Sequence, residues 1–362
     1  MRILIVTDAW FPQINGVVRT LDTLRGELER LDHRVYLITP QDFRTLPCPS
    51  YPEIRLAVGA RRKLARMLDD FQPSAIHIAT EGPLGLAARR HCLRRGYEFT
   101  TAYHTRFPEY IQARWRIPLA LTYRFVRWFH APSSGVMVAT PAMEAVLRGR
   151  GFANLKRWSR GVDTALFKPR SKRFLPYPRP IALYVGRVAV EKNIEAFLAL
   201  DLPGTKVVIG DGPQQAQLRK RYPEVRFLGA RTGDDLARHY AAADVFVFPS
   251  RTDTFGLVLL EALASGVPVA AYPVEGPLDV IDGSGAGCLD WDLATAVERA
   301  LAVAPETCRA HALTFSWEAS AQQFLANLHR LDLDAVQAVA PVPAPVEMAR
   351  GGRVRRFLRR QA

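Results

Sequence analysis

Short apolar runs rich in Val and Ile, alternating with segments of helical period, constrain this chain more than any other feature. Ile3 to Val6 leads into a helix whose apolar face is Val17, Leu21, Leu24, Leu28 and Leu31, spaced by three and four residues. Further strand candidates are Val35 to Ile38, Ala75 to Ala79, Phe99 to Tyr103 and Gly135 to Ala139. Parallel strands need crossover helices and are then buried on both faces, so this βαβ rhythm predicts a parallel sheet between two helical layers. The plan repeats with Ile181 to Val185, Lys206 to Ile209, Val225 to Leu228, Val245 to Phe248 and Val267 to Ala270.

Between the two sets lies KPRSKRFLPYPRP, Lys168 to Pro180, where Pro169, Pro176, Pro178 and Pro180 interrupt regular structure and mark an interdomain linker. A chain of 362 residues is also too long for one ordinary core. The expected organisation is a first domain over 1–167, the linker 168–180, a second domain over 181–314 and a C-terminal helix over 315–332 that crosses back to the first domain. A linker and basic tail follow at 333–362.

Charge divides with the domains. The formal net charge is +14, with +16 in residues 1–180 and −2 in the remainder. A basic half points to a polyanionic surface, either nucleic acid or an anionic membrane face. The stretch RWRIPLALTYRFVRWFH, Arg114 to His130, mixes Trp115, Phe125, Trp128 and Phe129 with Arg114, Arg116, Arg124 and Arg127, the pattern of an interfacial helix. A helix packed on the first domain with snorkelling arginines fits the same pattern. Arg61 to Leu68 and the tail Arg353 to Arg360 add positive charge. No zinc spacing, recognition helix or aromatic sheet motif of the known nucleic-acid modules is recognisable, which favours the membrane. No 18 apolar residues run together, MRILIVTD is too short for a signal-peptide core, and the four cysteines form no CxxC pair. These features predict a cytoplasmic protein attached peripherally to the inner face of the membrane.

Several segments carry chemistry. Gly16 lies in the loop entering the first helix, where backbone amides approach a phosphate closely, although a tight turn alone also needs glycine. Arg187 and Lys192 fall at the carboxyl edge of the second sheet, where ligands bind, and two cations there would neutralise a departing diphosphate. Asp253 lies in a loop and Glu261 within the helix that follows, bracketing seven residues. Both carboxylates suit hydrogen bonds to sugar and ribose hydroxyls. The neighbours Leu259, Leu260 and Ala262 leave Glu261 no polar helix face. His104 follows the strand Phe99 to Tyr103 and faces the same cleft, with Asp8 a weaker candidate. D-x-D occurs only at Asp290 to Asp292 and Asp332 to Asp334, both expected on helices near polar surfaces, so no metal is expected.

With these blocks in place the chain resembles glycosyltransferase family 4. The blocks are PQINGVVRT, AYHTRFPEY, RGVDTALFKP, GRVAVEKN, GDGP, FPSRTDTFGLVLLEALASGVPV and GPLDVI, spread over residues 1 to about 332. The resemblance implies a GT-B fold, two Rossmann-like doubly wound parallel-sheet domains facing across a cleft. It implies that Gly16 and Val17 offer amides to the donor phosphate and that Arg187 and Lys192 hold the diphosphate. It also places Glu261 on the ribose, and Asp253 with the amides of Phe255 and Gly256 on the transferred sugar, beside His104. Asp253 stands where the family usually has Glu, which puts sugar selectivity in doubt.

By motif the chain is most similar to GDP-mannose-dependent α-mannosyltransferases and to diacylglycerol or sulfolipid glycosyltransferases. The expected reaction is transfer of a hexose, with retention, from a nucleotide-diphosphate sugar such as GDP-mannose or UDP-glucose to a lipid such as diacylglycerol or a glycolipid. In that mechanism a diphosphate oxygen helps deprotonate the incoming hydroxyl. The donor is a substrate, and no cofactor, metal or nucleic acid is expected. A GT-B enzyme with a soluble acceptor, an epimerase and a non-catalytic binding protein are the alternatives.

Overall fold

The structure, a computed structural model, describes residues 1–331 apart from positions 14 and 49–50. The first domain contains strands β1 (Arg2–Val6), β2 (Arg34–Ile38), β3 (Thr45–Cys48), β4 (Tyr51–Ala57), β5 (Ala75–Ile78), β6 (Thr100–Tyr103), β7 (Gly135–Val138) and β8 (Leu155–Arg157). Its helices are α1 (Gly16–Arg30), α2 (Arg61–Phe71), α3 (Pro83–Arg95), α4 (Phe107–Trp115), α5 (Leu119–His130) and α6 (Pro141–Gly149). The second domain contains β9 (Ile181–Val185), β10 (Thr205–Ile209), β11 (Arg226–Gly229), β12 (Val245–Phe248), β13 (Val269–Ala271) and β14 (Gly287–Leu289). Its helices are α7 (Ile194–Leu198), α8 (Gln215–Arg221), α9 (Gly233–Ala242), α10 (Leu257–Ala264), α11 (Glu275–Ile281), α12 (Leu293–Ala300) and α13 (Pro305–Ala312), and α14 (Trp317–Asn327) follows.

Among the described residues each domain has one six-stranded sheet, in the order β2-β1-β5-β6-β7-β8 and β11-β10-β9-β12-β13-β14, and every pairing within both is parallel. Strand order reverses between β1 and β5 in the first sheet and between β9 and β12 in the second. At such a point neighbouring loops diverge to opposite faces and leave a crevice at the strands' carboxyl ends. Strands buried on both faces must be apolar throughout, which is why Ile3 to Val6 and Ile181 to Val185 carry no alternation and all nine residues are buried.

Local signals place the helices. Asn15 caps α1, its Oδ1 accepting from the Val17 and Val18 amides at 3.0 Å each, and Val18, Leu21, Leu24 and Leu28 form its buried face. Ser316 caps α14, whose Ala321 and Phe324 join Trp158, Leu24 and Met137 in the first domain's core, and the Trp158 indole N–H donates to Ser320 Oγ at 3.1 Å. The chain thus passes between the domains at 160–162, ahead of the expected boundary at 167–168, since Val162 and Phe167 already join the second domain's core, and it passes again at 315–317. The two passages touch: the Val162 amide donates to Phe315 O at 3.2 Å, and a Cβ on Gly161 would lie 2.3 Å from the Trp317 nitrogen.

The strand expectations hold to within about two residues, with Pro268 delaying the start of β13, and the structure adds the β3–β4 hairpin, β8 and β14. Several expectations change. Arg114 to His130 is not one helix: Arg116 ends α4 in a left-handed conformation (φ 55°), and Pro118 precedes α5. The linker contains one 3-10 turn, Lys172–Phe174. Before α7 a 3-10 turn over Val190–Lys192 ends at Asn193, in a left-handed conformation. Asp290 follows β14 and Asp292 caps α12, so neither lies within a helix. Asp332 to Asp334 and the basic tail lie outside the described residues.

Candidate active site

The second sheet's reversal puts the loops after β9 and β12 side by side, and both carry site residues. Arg187 directly follows Gly186 at the end of β9, and its carbonyl accepts from Tyr184 Oη at 2.7 Å. Five residues later Lys192 Nζ pairs with Asp253 Oδ1 in the loop after β12. Burial by itself would drive the proton off Lys192, but the Asp253 carboxylate together with Tyr110 and Tyr184 outweighs it and holds the lysine pKa above its ordinary value. A fixed cation therefore stands beside the loop after β12. Close approach is built into this edge: a Cβ on Gly210, after β10, would fall 1.8 Å from Gly186 O.

Phe255 and Gly256 complete that loop. Phe255 is buried, while Gly256 adopts φ 87° as the residue before α10, a conformation a side chain would strain. Glu261, one turn into α10, is only 6% exposed. Its Oε1 pairs with Arg19 from α1 across the cleft, and its Oε2 accepts from Tyr240 Oη at 2.9 Å. Burial raises the Glu261 pKa, and the Arg19 charge and the Tyr240 hydrogen bond act against that rise. Both carboxylate oxygens are aligned, and each retains lone-pair capacity for a hydroxyl.

The first domain answers with its own carboxyl edge. His104 follows β6 directly; its carbonyl accepts from Thr254 Oγ1 at 2.7 Å, fastening it to the residue after Asp253. Burial holds the imidazole pKa well below its usual value, with the Arg160 charge next in effect. Burial raises the hydroxyl pKa of Tyr110 on α4, and the Lys192 charge acts against that rise. Gly16 opens α1, where a Cβ would lie 3.9 Å from Leu257 Cδ1 of α10, so the start of α1 sits close against the start of α10. The Val17 amide is already engaged by Asn15, so a phosphate reaching it must displace that cap. Asp8 proves structural: it accepts from the Leu84 and Gly85 amides at 2.8 and 3.2 Å and from Thr80 Oγ1 at 2.9 Å, capping α3.

The structure thus brings Gly16, His104, Lys192, Asp253, Phe255, Gly256 and Glu261 to two facing sheet edges. Sequence reasoning missed Arg19, Tyr110, Arg160 and Tyr240. Arg19, Tyr110 and Arg160 stand within blocks already singled out, Arg19 in PQINGVVRT three residues after Gly16, Tyr110 in AYHTRFPEY six after His104, and Arg160 at the head of RGVDTALFKP. One helical turn brings Arg19 to the same helix face as Gly16. Nothing in its segment marks Tyr240, which reaches Glu261 from α9.

Residues 14–166 match the model of Glycosyltransferase Family 4, and residues 179–304 match Glycosyl transferases group 1. The chain is 30% identical to the GDP-mannose-dependent alpha-mannosyltransferase of Mycobacterium tuberculosis, covering 80% of this chain and 83% of that one. It is also 30% identical to the alpha-monoglucosyldiacylglycerol synthase of Streptococcus pneumoniae, covering 93% and 86%. A sucrose-phosphate synthase from Thermosynechococcus elongatus superposes with a TM-score of 0.72 over 94% of this chain and the whole of that one, at 22% identity. Two parallel-sheet domains joined by crossing passages, paired cations and carboxylates across the cleft, and these likenesses place the chain in glycosyltransferase family 4, as a GT-B glycosyltransferase.

Proposed function

We propose that the enzyme transfers a hexose, with retention of anomeric configuration, from a nucleotide-diphosphate sugar to a membrane lipid such as diacylglycerol or a glycolipid. The observation that carries the transfer is the Lys192–Asp253 pair at the second sheet's switch point. On donor binding Lys192 and Arg187 hold the diphosphate, and charge developing on the leaving oxygens meets cations already in place. Asp253 and the amides of Phe255 and Gly256 take the sugar hydroxyls, and His104 approaches the sugar from the opposite edge. Glu261 takes the ribose, with Arg19 moving to the phosphates or staying as its counter-ion. With retention assisted by a diphosphate oxygen, no side chain needs to act as base.

The lipid acceptor and the peripheral membrane attachment rest on α4, α5 and their junction. One face of α5, with Tyr123, Val126 and Phe129, is buried in the first domain, while Leu121, Phe125 and Trp128 are exposed beside Arg124 and Arg127. Trp115, Arg116 and Ile117 extend this exposed surface. Apolar rings at headgroup depth ringed by guanidinium groups fit an anionic membrane. No helix among the described residues is long and apolar enough to cross one.

The test offers purified protein a panel of UDP and GDP sugars with diacylglycerol or phosphatidylinositol in mixed micelles and weighs the lipid products by mass spectrometry. A glycosylated lipid is the expected result. Transfer to soluble acceptors alone overturns the lipid assignment, and interconversion of the donor without an acceptor indicates an epimerase.

A further inference from the structure

Arg160 is buried at 4% exposure in the segment after β8, and among the described residues no carboxylate pairs with it. Its guanidinium lies 4.0 Å from the Trp158 ring centroid and donates through Nη1 to the carbonyls of Trp158 and Ser159 at 2.6 and 3.0 Å. Its remaining contact is Nη2 to His104 Nδ1 at 3.2 Å. A guanidinium has donors only, so His104 Nδ1 must accept there, and a neutral imidazole that accepts at Nδ1 carries its proton on Nε2. That Nε2 is buried without a protein partner among the described residues. The ring itself is held edge-on to Trp158 at 5.6 Å, and its backbone carbonyl is fastened to Thr254 beside Asp253.

We propose that Arg160 is a positioning residue that fixes His104 as an Nε2–H hydrogen-bond donor to an oxygen of the transferring sugar. This rests on the placement of His104 at the sugar given above. The logic reverses the familiar carboxylate–histidine pair. A carboxylate would accept from Nδ1–H and leave Nε2 as a base. An arginine donates to Nδ1 and leaves Nε2 as an acid-side donor, which suits a reaction whose base is the diphosphate. The titratable groups facing His104 are Arg160 itself, His77 of β5 and His130 of α5, with no carboxylate among the groups acting on it. Nothing in the surroundings therefore favours a second proton on the ring. Burial lowers the Arg160 pKa to about 9, which leaves it charged near neutral pH.

The test is long-range 15N–1H NMR of the full chain carrying 15N-histidine, with the His104 signals assigned by loss in His104→Asn. The expected spectrum shows protonated Nε2 and bare Nδ1, unchanged between about pH 7.5 and 5.5, across the ordinary histidine value. Arg160→Met should mix the tautomers and lower kcat by roughly tenfold to a hundredfold with little change in donor KM, since one positioned donor contributes on that scale. Arg160→Lys, which keeps a donor, should restore the wild-type tautomer and part of kcat. Protonated Nδ1 in the wild type overturns the proposal even if Arg160→Met fails to fold. So does a folded Arg160→Met with unchanged spectrum and kcat. If the wild type turns over no nucleotide sugar, the functional assignment fails while the spectrum still decides the tautomer.

Discussion

The two sheets share one plan and put it to different use. Each reverses strand order beside its first strand, β1 in one and β9 in the other, and each places an early acidic or basic residue at that crevice. In the first sheet Asp8 is consumed by the fold, its carboxylate closing the N-terminus of α3 through two amides and Thr80. In the second sheet Lys192 and Asp253 pair with each other and stand at the cleft. A switch point creates a crevice, but the residues that line it decide whether it binds a ligand or braces a helix. The first sheet's reactive groups come instead from β6 and α1, as His104 and Arg19, and reach the second domain through Thr254 and Glu261.

The sharpest way to break this contrast is Lys192→Ala. A transition-state cation removed from an enclosed site costs roughly 10²–10³ in kcat. The variant should keep its far-ultraviolet circular dichroism and urea midpoint, because Asp253 can gain solvent or protonate. Near-normal turnover in the folded variant would show that the pair is structural, like Asp8.

Asp8→Ala should show the opposite signature. It strips two buried amides and Thr80 of their acceptor, costing on the order of 3 kcal/mol of stability. The urea midpoint should fall while kcat per folded molecule changes little. A variant of full stability and lost turnover would move Asp8 into the chemistry.

A third test uses pH. His77 lies on β5 with 0% exposure, and burial depresses its pKa to about 3. The unfolded chain binds a proton there below about 6.5 and the folded chain does not until far lower, so stability rises with pH across that window. Moving from about pH 7 to 5 should therefore cost about 2 kcal/mol from this residue. His104 acts in the same direction through its own depressed pKa. His77→Asn should flatten the slope in urea titrations. An unchanged slope would mean that His77 does not carry this acid sensitivity.

Much of this molecule is legible in its sequence, and the failures share a cause. Uninterrupted apolar strands such as IALYV and capped helices such as α1 announce themselves because burial and hydrogen bonding act within a few residues. Among the site residues, those on switch-point loops were found because the loops carry local signals: Gly256 before a helix, or cations just past a strand. Arg19 and Tyr240 were missed because their role is to meet Glu261 from two other helices, one in the other domain. Pairing across a cleft has no sequence period. The β3–β4 hairpin escaped notice because Pro47 and Pro52 fall inside its strands, where proline argues against a strand. Asp8 could be no more than a weaker candidate, because an acid after a strand has the same sequence signature whether it holds a ligand or a helix.

The smallest expected effect probes how the edges are held together. Arg106 Nη1 donates to Glu275 Oε2 across the cleft at 2.9 Å, and its Nη2 donates to Glu109 within the first domain at 2.9 Å. Glu109 also accepts from Tyr123 Oη at 2.7 Å. Glu275→Gln therefore leaves the arginine with a counter-ion and removes one charged tie between domains, while Arg19–Glu261 remains. Contacts such as the Ala142 amide to Asp279 Oδ2 at 2.9 Å remain. A partly exposed pair of this kind contributes about 0.5–1 kcal/mol, so kcat/KM for the donor should fall by at most about fivefold, and less at high salt. A loss larger than about tenfold, persisting at high salt, would mean that Glu275 touches the substrate, and the second domain would then have a third working carboxylate beside Asp253 and Glu261.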